Sequence, residues 1–197
     1  IRARGWGARR VVVAAQQGPF VGSEAEAAAR LEQLLSGSVE RRLIADVPLG
    51  VFLSGGIDSS TVAAIAQRIS AEKIQTFTIS FSDPKYNEGG FARSVAEHLD
   101  TDHTELAVDA NAVIKCVERV PHFYDEPFAD VSQLPTMLLS ELTRSHVTTV
   151  LSGDGGDELF AGYPRYQSAA RQWQKNSSIR KMLAGLLQTA MPYGVLN

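Results

Sequence analysis

Residues 54–60, with the sequence SGGIDSS, combine the residue types that bind phosphate groups. The apolar residues 51–53 precede them and a helical pattern follows, so backbone N–H groups and a helix N-terminus converge on one point. Glycine lets the backbone approach an anion closely, and serine hydroxyls donate hydrogen bonds to it. The stretch contains neither the Gly-Lys-Ser/Thr of a Walker A loop nor a Gly-x-Ser-x-Gly nucleophile elbow. It therefore predicts a phosphate-binding loop of another type.

Asp58, inside this stretch, requires a separate explanation. A carboxylate beside phosphate groups is repulsive unless a cation lies between them, which points to Mg²⁺. The alternative is that Asp58 caps the following helix by accepting hydrogen bonds from its first backbone N–H groups. The loop sequence alone leaves both interpretations open.

A second glycine-rich stretch, residues 151–163 (LSGDGGDELFAGY), crowds three acidic residues among its glycines. Asp154, Asp157 and Glu158 repel one another, which favours a metal ion or a substrate amine at this point. A solvated acidic turn is the alternative interpretation. Two such loops in one chain indicate a shared site more strongly than either loop alone.

Hydrophobic periodicity predicts the elements that position these loops. Ser23 and Glu26 form a capping box at the start of a helix that runs to about residue 43. The further predicted strands are residues 51–53, 74–81, 103–108 and 146–152, and the further predicted helices are residues 59–69, 91–99, 111–120 (ended by Pro121) and 135–144. This alternation predicts an α/β fold with a parallel sheet and helices on both faces. Ligands of such sheets bind beyond the carboxyl ends of the strands, where both loops lie.

Composition narrows the classes of function. The 197 residues carry a net charge of -3, which gives no indication of a nucleic-acid partner, and the apolar runs are too short to span a membrane. The single cysteine, Cys116, fits a reducing, cytoplasmic setting and is interpreted as a buried structural thiol. The four histidines show no metal-ligand spacing. Arg165, in GYPRY, is open to two interpretations, a phosphate contact or a surface arginine.

Three motifs together identify a resemblance to a known family. SGGIDSS resembles the pyrophosphate loop of the N-type ATP pyrophosphatases, which have the adenine nucleotide α-hydrolase-like (PP-loop) fold. With YDEPFADVSQLPTMLLSEL at residues 124–142 and LSGDGGDELFAGYPRY at residues 151–166, it resembles the synthetase domain of the glutamine-hydrolysing asparagine synthetases. The first motif indicates only the superfamily, whereas all three in this order are specific. The resemblance runs from about residue 23 to about residue 166.

The resemblance implies an ATP-dependent ligase of asparagine biosynthesis. In that family, ATP and aspartate react in the presence of Mg²⁺ to give β-aspartyl-AMP and pyrophosphate, and ammonia then displaces AMP. A glutaminase domain in the same full-length chain, of glutamine amidotransferase type, makes the ammonia. Two alternatives stay open: a related ligase that forms an amide or lactam from another carboxylic acid, and a nucleotide-binding module without chemistry.

The resemblance also assigns roles by position. Asp58 and Asp157 match the metal-coordinating acids of the family, and Asp154 lies where relatives carry an acidic residue linked to formation of the intermediate. The implied ATP contacts are Phe52, Leu53, Ser54, Gly55, Gly56, Asp58, Ser59, Ser60, Ile79, Ser152 and Gly153.

Departures from the family pattern set the expected domain boundaries. Residues 1–22 are interpreted as a linker from a missing N-terminal glutaminase domain, and residues 23–197 as a synthetase domain truncated at its C-terminus. The family uses a lysine well beyond the second loop, and neither Lys175 nor Lys181 matches its context. The expected partners are ATP, aspartate, ammonia and the glutaminase domain, with no nucleic acid and no membrane. Whether the chain forms a homodimer is left open.

Overall fold

The structure is a computed structural model that describes residues 20–83, 87–126, 129–130, 132–160, 162–166, 168 and 171–172. Most of the predicted linker, and both Lys175 and Lys181, lie outside these residues. In chain order the elements are α1 (Glu24–Leu43), β1 (Leu49–Phe52), α2 (Ile57–Ile69), β2 (Gln75–Phe81), α3 (Gly89–Leu99), β3 (Asp102–Val108), α4 (Ala110–Val117), α5 (Val120–Phe123), α6 (Gln133–Arg144), β4 (Thr149–Leu151) and α7 (Gly156–Phe160).

The strands form one parallel sheet in the order β3-β2-β1-β4. Val51 of β1 pairs with Thr76 of β2 on one side and with Leu151 of β4 on the other. The chain therefore moves outward from β1 through β2 to β3 and then returns across the sheet to the other side of β1. The strand order reverses between β1 and β4. The prediction of a parallel α/β sheet is confirmed.

Side chains alternate along β1 and β2 and build a core on each face of the sheet. On one face, Val51 and Leu53 pack with buried residues of α1, α2 and α3: Val39, Ala63, Ile65, Ala66, Ala92 and Ala96. On the other face, Phe77 and Met137 are fully buried and α6 packs against β2. The predicted placement of helices on both faces is therefore confirmed. Among the described helices, none combines the length and hydropathy that a membrane span needs.

The predicted start of α1 is confirmed at the level of single hydrogen bonds. The Glu26 backbone N–H donates to the Ser23 hydroxyl at 3.3 Å, and the Ser23 backbone N–H donates to the Glu26 carboxylate at 2.7 Å. Each group thus satisfies a backbone donor that the helix leaves without an internal partner. The helix ends at Leu43, as predicted.

Two predicted boundaries differ from the structure by three residues, each for an identifiable reason. The strand expected over residues 146–152 is shorter, because the backbone N–H groups of His146 and Val147 donate to the Thr143 carbonyl and extend the turn after α6. Pro121 does not end a helix. Instead α4 stops at Val117, and Pro121 lies in the first turn of α5, where a missing backbone N–H costs nothing. Cys116 is buried in α4, as predicted.

Gly50 leaves space that the Phe77 ring fills. A Cβ atom at Gly50 would lie 2.5 Å from Phe77 Cε2, whereas one at Gly37 would meet only the flexible Arg41 side chain at 3.5 Å. We expect Gly50→Ala to lower the free energy of unfolding by about 1–3 kcal/mol through overpacking. Gly37→Ala, inside α1, should instead raise it by up to about 1 kcal/mol. Thermal unfolding followed by circular dichroism compares the two, and equal effects would contradict this account of Gly50.

His103 is a half-buried residue of β3, and its side chain contacts the neighbouring strand β2. Its Nδ1 is 2.9 Å from the Thr76 hydroxyl, and its buried Nε2 has no hydrogen-bond partner among the described residues. Burial lowers the pKa of the His103 imidazole, because the charged form loses hydration.

The pKa of His103 is lower in the folded state than in the unfolded chain, where it has its ordinary value of about 6.5. As the pH falls below about 6.5, the unfolded chain therefore binds more protons at His103 than the folded chain does. Stability from neutral His103 is therefore present above that pH and declines as the pH falls below it. We expect His103→Gln to lose less stability than the wild type between about pH 7 and about pH 5. The exposed His98, changed to Gln, is the control in urea unfolding at both pH values. A wild-type loss no larger than that of His103→Gln would refute the role of His103.

Candidate functional site

The two glycine-rich loops meet where the strand order reverses. β1 and β4 are adjacent and parallel, so the loops that follow them leave the same edge of the sheet. The second loop packs its backbone on the first turn of α2: a Cβ atom at Gly153 would lie 2.7 Å from the Ser59 nitrogen and 3.0 Å from the Asp58 carbonyl carbon. Tertiary structure thus brings residues about a hundred positions apart into direct contact.

Asp58 is the second residue of α2 and does not cap it. The N-cap is Gly56, in an extended conformation, and α2 has no side-chain cap hydrogen bond. The interpretation of Asp58 as a helix cap is therefore wrong. Its carboxylate abuts Gly156 of the second loop so closely that a Cβ atom there would overlap it. The carboxylate thus faces the residue that immediately precedes Asp157.

The serine hydroxyls of the first loop bind one another. Ser54 Oγ and Ser59 Oγ lie 2.8 Å apart, and the Gly56 backbone N–H donates to Ser54 Oγ at 3.2 Å. Ser60 Oγ is buried and has no hydrogen-bond partner among the described residues. Because the Ser54 and Ser59 hydroxyls are occupied in holding the loop in shape, the anion-binding capacity of the loop rests mainly on the uncapped backbone N–H groups and the dipole of α2.

Gly55 fits the first loop into a narrow space. Its φ of 79° lies in the left-handed region, and a Cβ atom would approach Phe91 Cβ to 2.6 Å and the Ala92 nitrogen to 2.7 Å. Both the backbone conformation and the contact with α3 therefore require glycine. The start of α3 therefore packs directly against the first loop.

The acidic residues of the second loop have different surroundings. Ser152 donates through its hydroxyl to exposed Asp154 at 3.0 Å. Asp157 Oδ1 abuts Gly162, whose backbone N–H donates to the Asp157 carbonyl at 3.0 Å. The Tyr163 hydroxyl donates to Glu158 at 2.9 Å, which raises the pKa of Tyr163 because the bond favours the neutral phenol.

The predicted adenine contacts lie at or near the carboxyl ends of the two central strands, β1 and β2. Phe52 ends β1, and Ile79 lies two residues beyond Phe77, the partner of Phe52 on β2. Both side chains are half-buried. The Leu53 side chain is only 1% exposed and belongs to the core, so a ligand contact from Leu53 would use its backbone. Its backbone N–H already donates to the Phe77 carbonyl at 2.8 Å.

The carboxylates of the two loops are the candidate ligands for a magnesium ion. The described part of the chain holds no group of three or more metal-ligating side chains. Mg²⁺ bound with a nucleotide takes one or two protein carboxylates and completes its shell with phosphate oxygens and water. Asp58, which faces the second loop, and Asp157 in that loop fit this requirement.

Sequence reasoning missed two supporting residues. The sequence pattern marks Gly156, against which the Asp58 carboxylate packs, only as one glycine among several. It places Phe91 in a helix and indicates no role for it at the site. A glycine directly before Asp157 was a usable signal for the first, whereas nothing in the sequence indicated the contact of Phe91 with Gly55.

Gly153 offers a test of the contact between the loops. An added Cβ atom would meet backbone atoms of α2, which cannot move without shifting the helix. We expect Gly153→Ala to lower the free energy of unfolding by about 1–3 kcal/mol in urea titrations. Gly90→Ala, where no atom lies within 4 Å of the new Cβ, is the matched control and should not destabilise. Equal stability of the two variants would show that the loops do not pack as described.

Known proteins match most of the length of this chain. The family described as asparagine synthase matches residues 30–196. A Methanocaldococcus jannaschii protein provisionally named a glutamine-hydrolysing asparagine synthetase is 40% identical over 141 residues, covering 71% of this chain and 27% of that protein. Glutamine-hydrolysing asparagine synthetase 1 of Bacillus subtilis is 30% identical over 161 residues, covering 80% of this chain and 25% of that protein. The chain thus spans about a quarter of the length of these relatives.

Among solved structures, the NH3-dependent NAD synthetase of Campylobacter jejuni aligns with a TM-score of 0.49 at 15% identity, covering 68% of this chain and 60% of that chain. The strand order and the parallel register define the α/β fold of this chain. The family match extends over more than half of the chain and includes both glycine-rich loops. This chain belongs to the asparagine synthase family.

Proposed function

We propose that the full-length protein converts aspartate to asparagine at the expense of ATP, through β-aspartyl-AMP and with release of AMP and pyrophosphate. Ammonia comes from glutamine, hydrolysed by a glutaminase domain of the same chain. The observation that carries the proposal is the packing of the second acidic loop on the uncapped N-terminus of α2. Membership of the asparagine synthase family supports the substrates.

The first step is phosphoryl chemistry at the α-phosphate. The substrate carboxylate oxygen attacks the phosphorus, and the bond from this phosphorus to the pyrophosphate oxygen breaks. Negative charge develops on the leaving pyrophosphate. The backbone N–H groups at the start of α2 and at Gly55 stabilise that charge because they are held in place before the reaction begins, while the Gly56 N–H, which donates to Ser54 Oγ, holds the loop in shape.

Asp58 and Asp157 would hold Mg²⁺, which neutralises phosphate charge when it is bound. The structural role of the serines follows from their hydrogen bonds. Ser54 and Ser59 keep the first loop in its binding shape, since their hydroxyls bind each other. Phe52, which ends β1, and Ile79, two residues before the end of β2, border the space for adenine.

The second step joins nitrogen to carbon. Ammonia attacks the acyl carbon of β-aspartyl-AMP, the bond from this carbon to the AMP oxygen breaks, and the nitrogen loses a proton. Ser152, Gly153 and Asp154 lie at the end of β4, where they border the acyl-adenylate. The hydrogen bond from Ser152 orients the Asp154 carboxylate at this position.

The full-length gene product, given Mg·ATP, ammonia and aspartate, should release AMP, pyrophosphate and asparagine in equal amounts. Asp58→Asn should lower kcat/KM by about 100-fold or more, because a charge that supports the transition state is removed. Asp100→Asn is the matched control: Asp100 lies at the end of α3, is paired with Lys73, and should tolerate the change.

Coupled assays of AMP, ADP, pyrophosphate and phosphate decide the outcome. Release of ADP and phosphate would refute the proposal. Pyrophosphate release with another carboxylic acid, but not with aspartate, would keep the chemistry of the loops and replace the substrate. Binding of Mg·ATP in calorimetry with no turnover on any acid would leave a nucleotide-binding module.

A further inference from the structure

The guanidinium of Arg165 stacks on two tyrosine rings. Its central carbon lies 4.2 Å from the centre of the Tyr163 ring and 5.6 Å from that of the Tyr166 ring. The two rings are themselves in contact, with centres 5.7 Å apart. Stacking on aromatic faces holds a guanidinium in position and leaves its planar edge of N–H donors available to oxygen acceptors.

Those donors have no acceptor among the described residues. Arg68, Arg93 and Arg119 each pair with a glutamate, whereas Arg165 makes neither a hydrogen bond nor an ion pair with any residue that the structure describes. An arginine that is oriented by its neighbours, yet not paired, is suited to binding an anionic group from outside the chain.

A series of contacts ties Arg165 to the candidate site. Tyr163, on which it stacks, donates a hydrogen bond to Glu158. Glu158 follows Asp157, whose carboxylate abuts Gly162. A displacement of Tyr163, on which Arg165 stacks, would therefore also displace Glu158 of the second loop.

The site carries several carboxylates, whose charge a fixed cation such as Arg165 would offset. Asp58, Asp154, Asp157 and Glu158 all lie on the two loops or on the helices that they open. Such a group of carboxylates repels an anionic substrate. The positive charge of Arg165 also acts on Asp130 of the preceding motif: hydrogen bonds from Ser132 lower the pKa of Asp130, and Arg165 lowers it further. The charge of Arg165 thus acts on Asp130 of the motif at residues 124–142, while its stacking on Tyr163 connects it to the second loop.

We infer that Arg165 is a substrate-binding residue, whose guanidinium pairs with an oxyanion of a substrate at the second loop. The oxyanion is either a carboxylate of the acid to be amidated or a phosphate of the nucleotide. The inference rests on the proposed function, since it names a binding residue of the same site. A guanidinium at this position would explain how a site rich in carboxylates attracts an anionic substrate.

The test uses the full-length enzyme and two variants of Arg165. Arg165→Gln removes the charge, and Arg165→Lys keeps the charge but loses the planar pair of donors. We expect Arg165→Gln to raise one KM by about 10–100-fold, the value of one charge-assisted hydrogen bond, while kcat changes much less. Arg165→Lys should recover part of the loss.

Pyrophosphate release is measured while aspartate and ATP are varied in turn. A raised KM for aspartate identifies the carboxylate as the ligand, and a raised KM for ATP identifies the phosphate. Arg144→Gln is the matched control, because Arg144 is an exposed arginine at the end of α6, bonded to Thr148. Circular dichroism of each variant verifies folding. If Arg165→Gln does not fold, the KM values of Arg165→Lys for aspartate and ATP test the inference by themselves.

Unchanged KM values for both substrates, in variants that fold, would overturn the role of Arg165 while leaving the proposed function intact. If the wild-type enzyme turns over no acid, the proposed function fails, and calorimetric binding of Mg·ATP and of aspartate then tests Arg165 separately. Weaker binding of either compound to Arg165→Gln supports the inference, and equal binding of both refutes it.

Discussion

The close approach of two backbone segments, Gly153 and the first turn of α2, is the contact on which the candidate site depends. It exists because the strand order reverses between β1 and β4, so that the two loops leave adjacent strands at the same edge of the sheet. At this distance any side chain at Gly153 would separate the loops. The acidic residues of the second loop therefore reach the helix N-terminus without displacing it only while residue 153 is glycine.

This contact also organises charge. The N-terminus of α2 carries uncapped backbone N–H groups and the positive end of the helix dipole, which stabilises the nearby Asp58 carboxylate. The second loop adds more carboxylates beside it. Positive and negative groups thus lie side by side on one small surface, an arrangement that suits a phosphate chain bound with a cation. Stacked Arg165 adds a positive group at the outer end of the second loop.

Local signals in the sequence were sufficient for most elements. The capping box predicted the start of α1, and the alternation of apolar residues over residues 74–81 predicted β2, because both depend on neighbours along the chain. Prediction failed where a longer contact or a turn competes with a local pattern. The backbone of His146 and Val147 prolongs the turn after α6 instead of joining β4, and Pro121 begins a helix rather than ending one.

For the site, the sequence by itself determined which chemistry is available: two glycine-rich acidic loops, each after a strand, and three motifs that indicate a family. Residue types and their spacing are sufficient for that, since they are local properties. Only the tertiary structure decided that Gly56, not Asp58, is the N-cap, that the Ser54 and Ser59 hydroxyls bind each other, and that Asp58 packs on Gly156. These outcomes depend on distances between segments far apart in sequence, which the order of the strands sets.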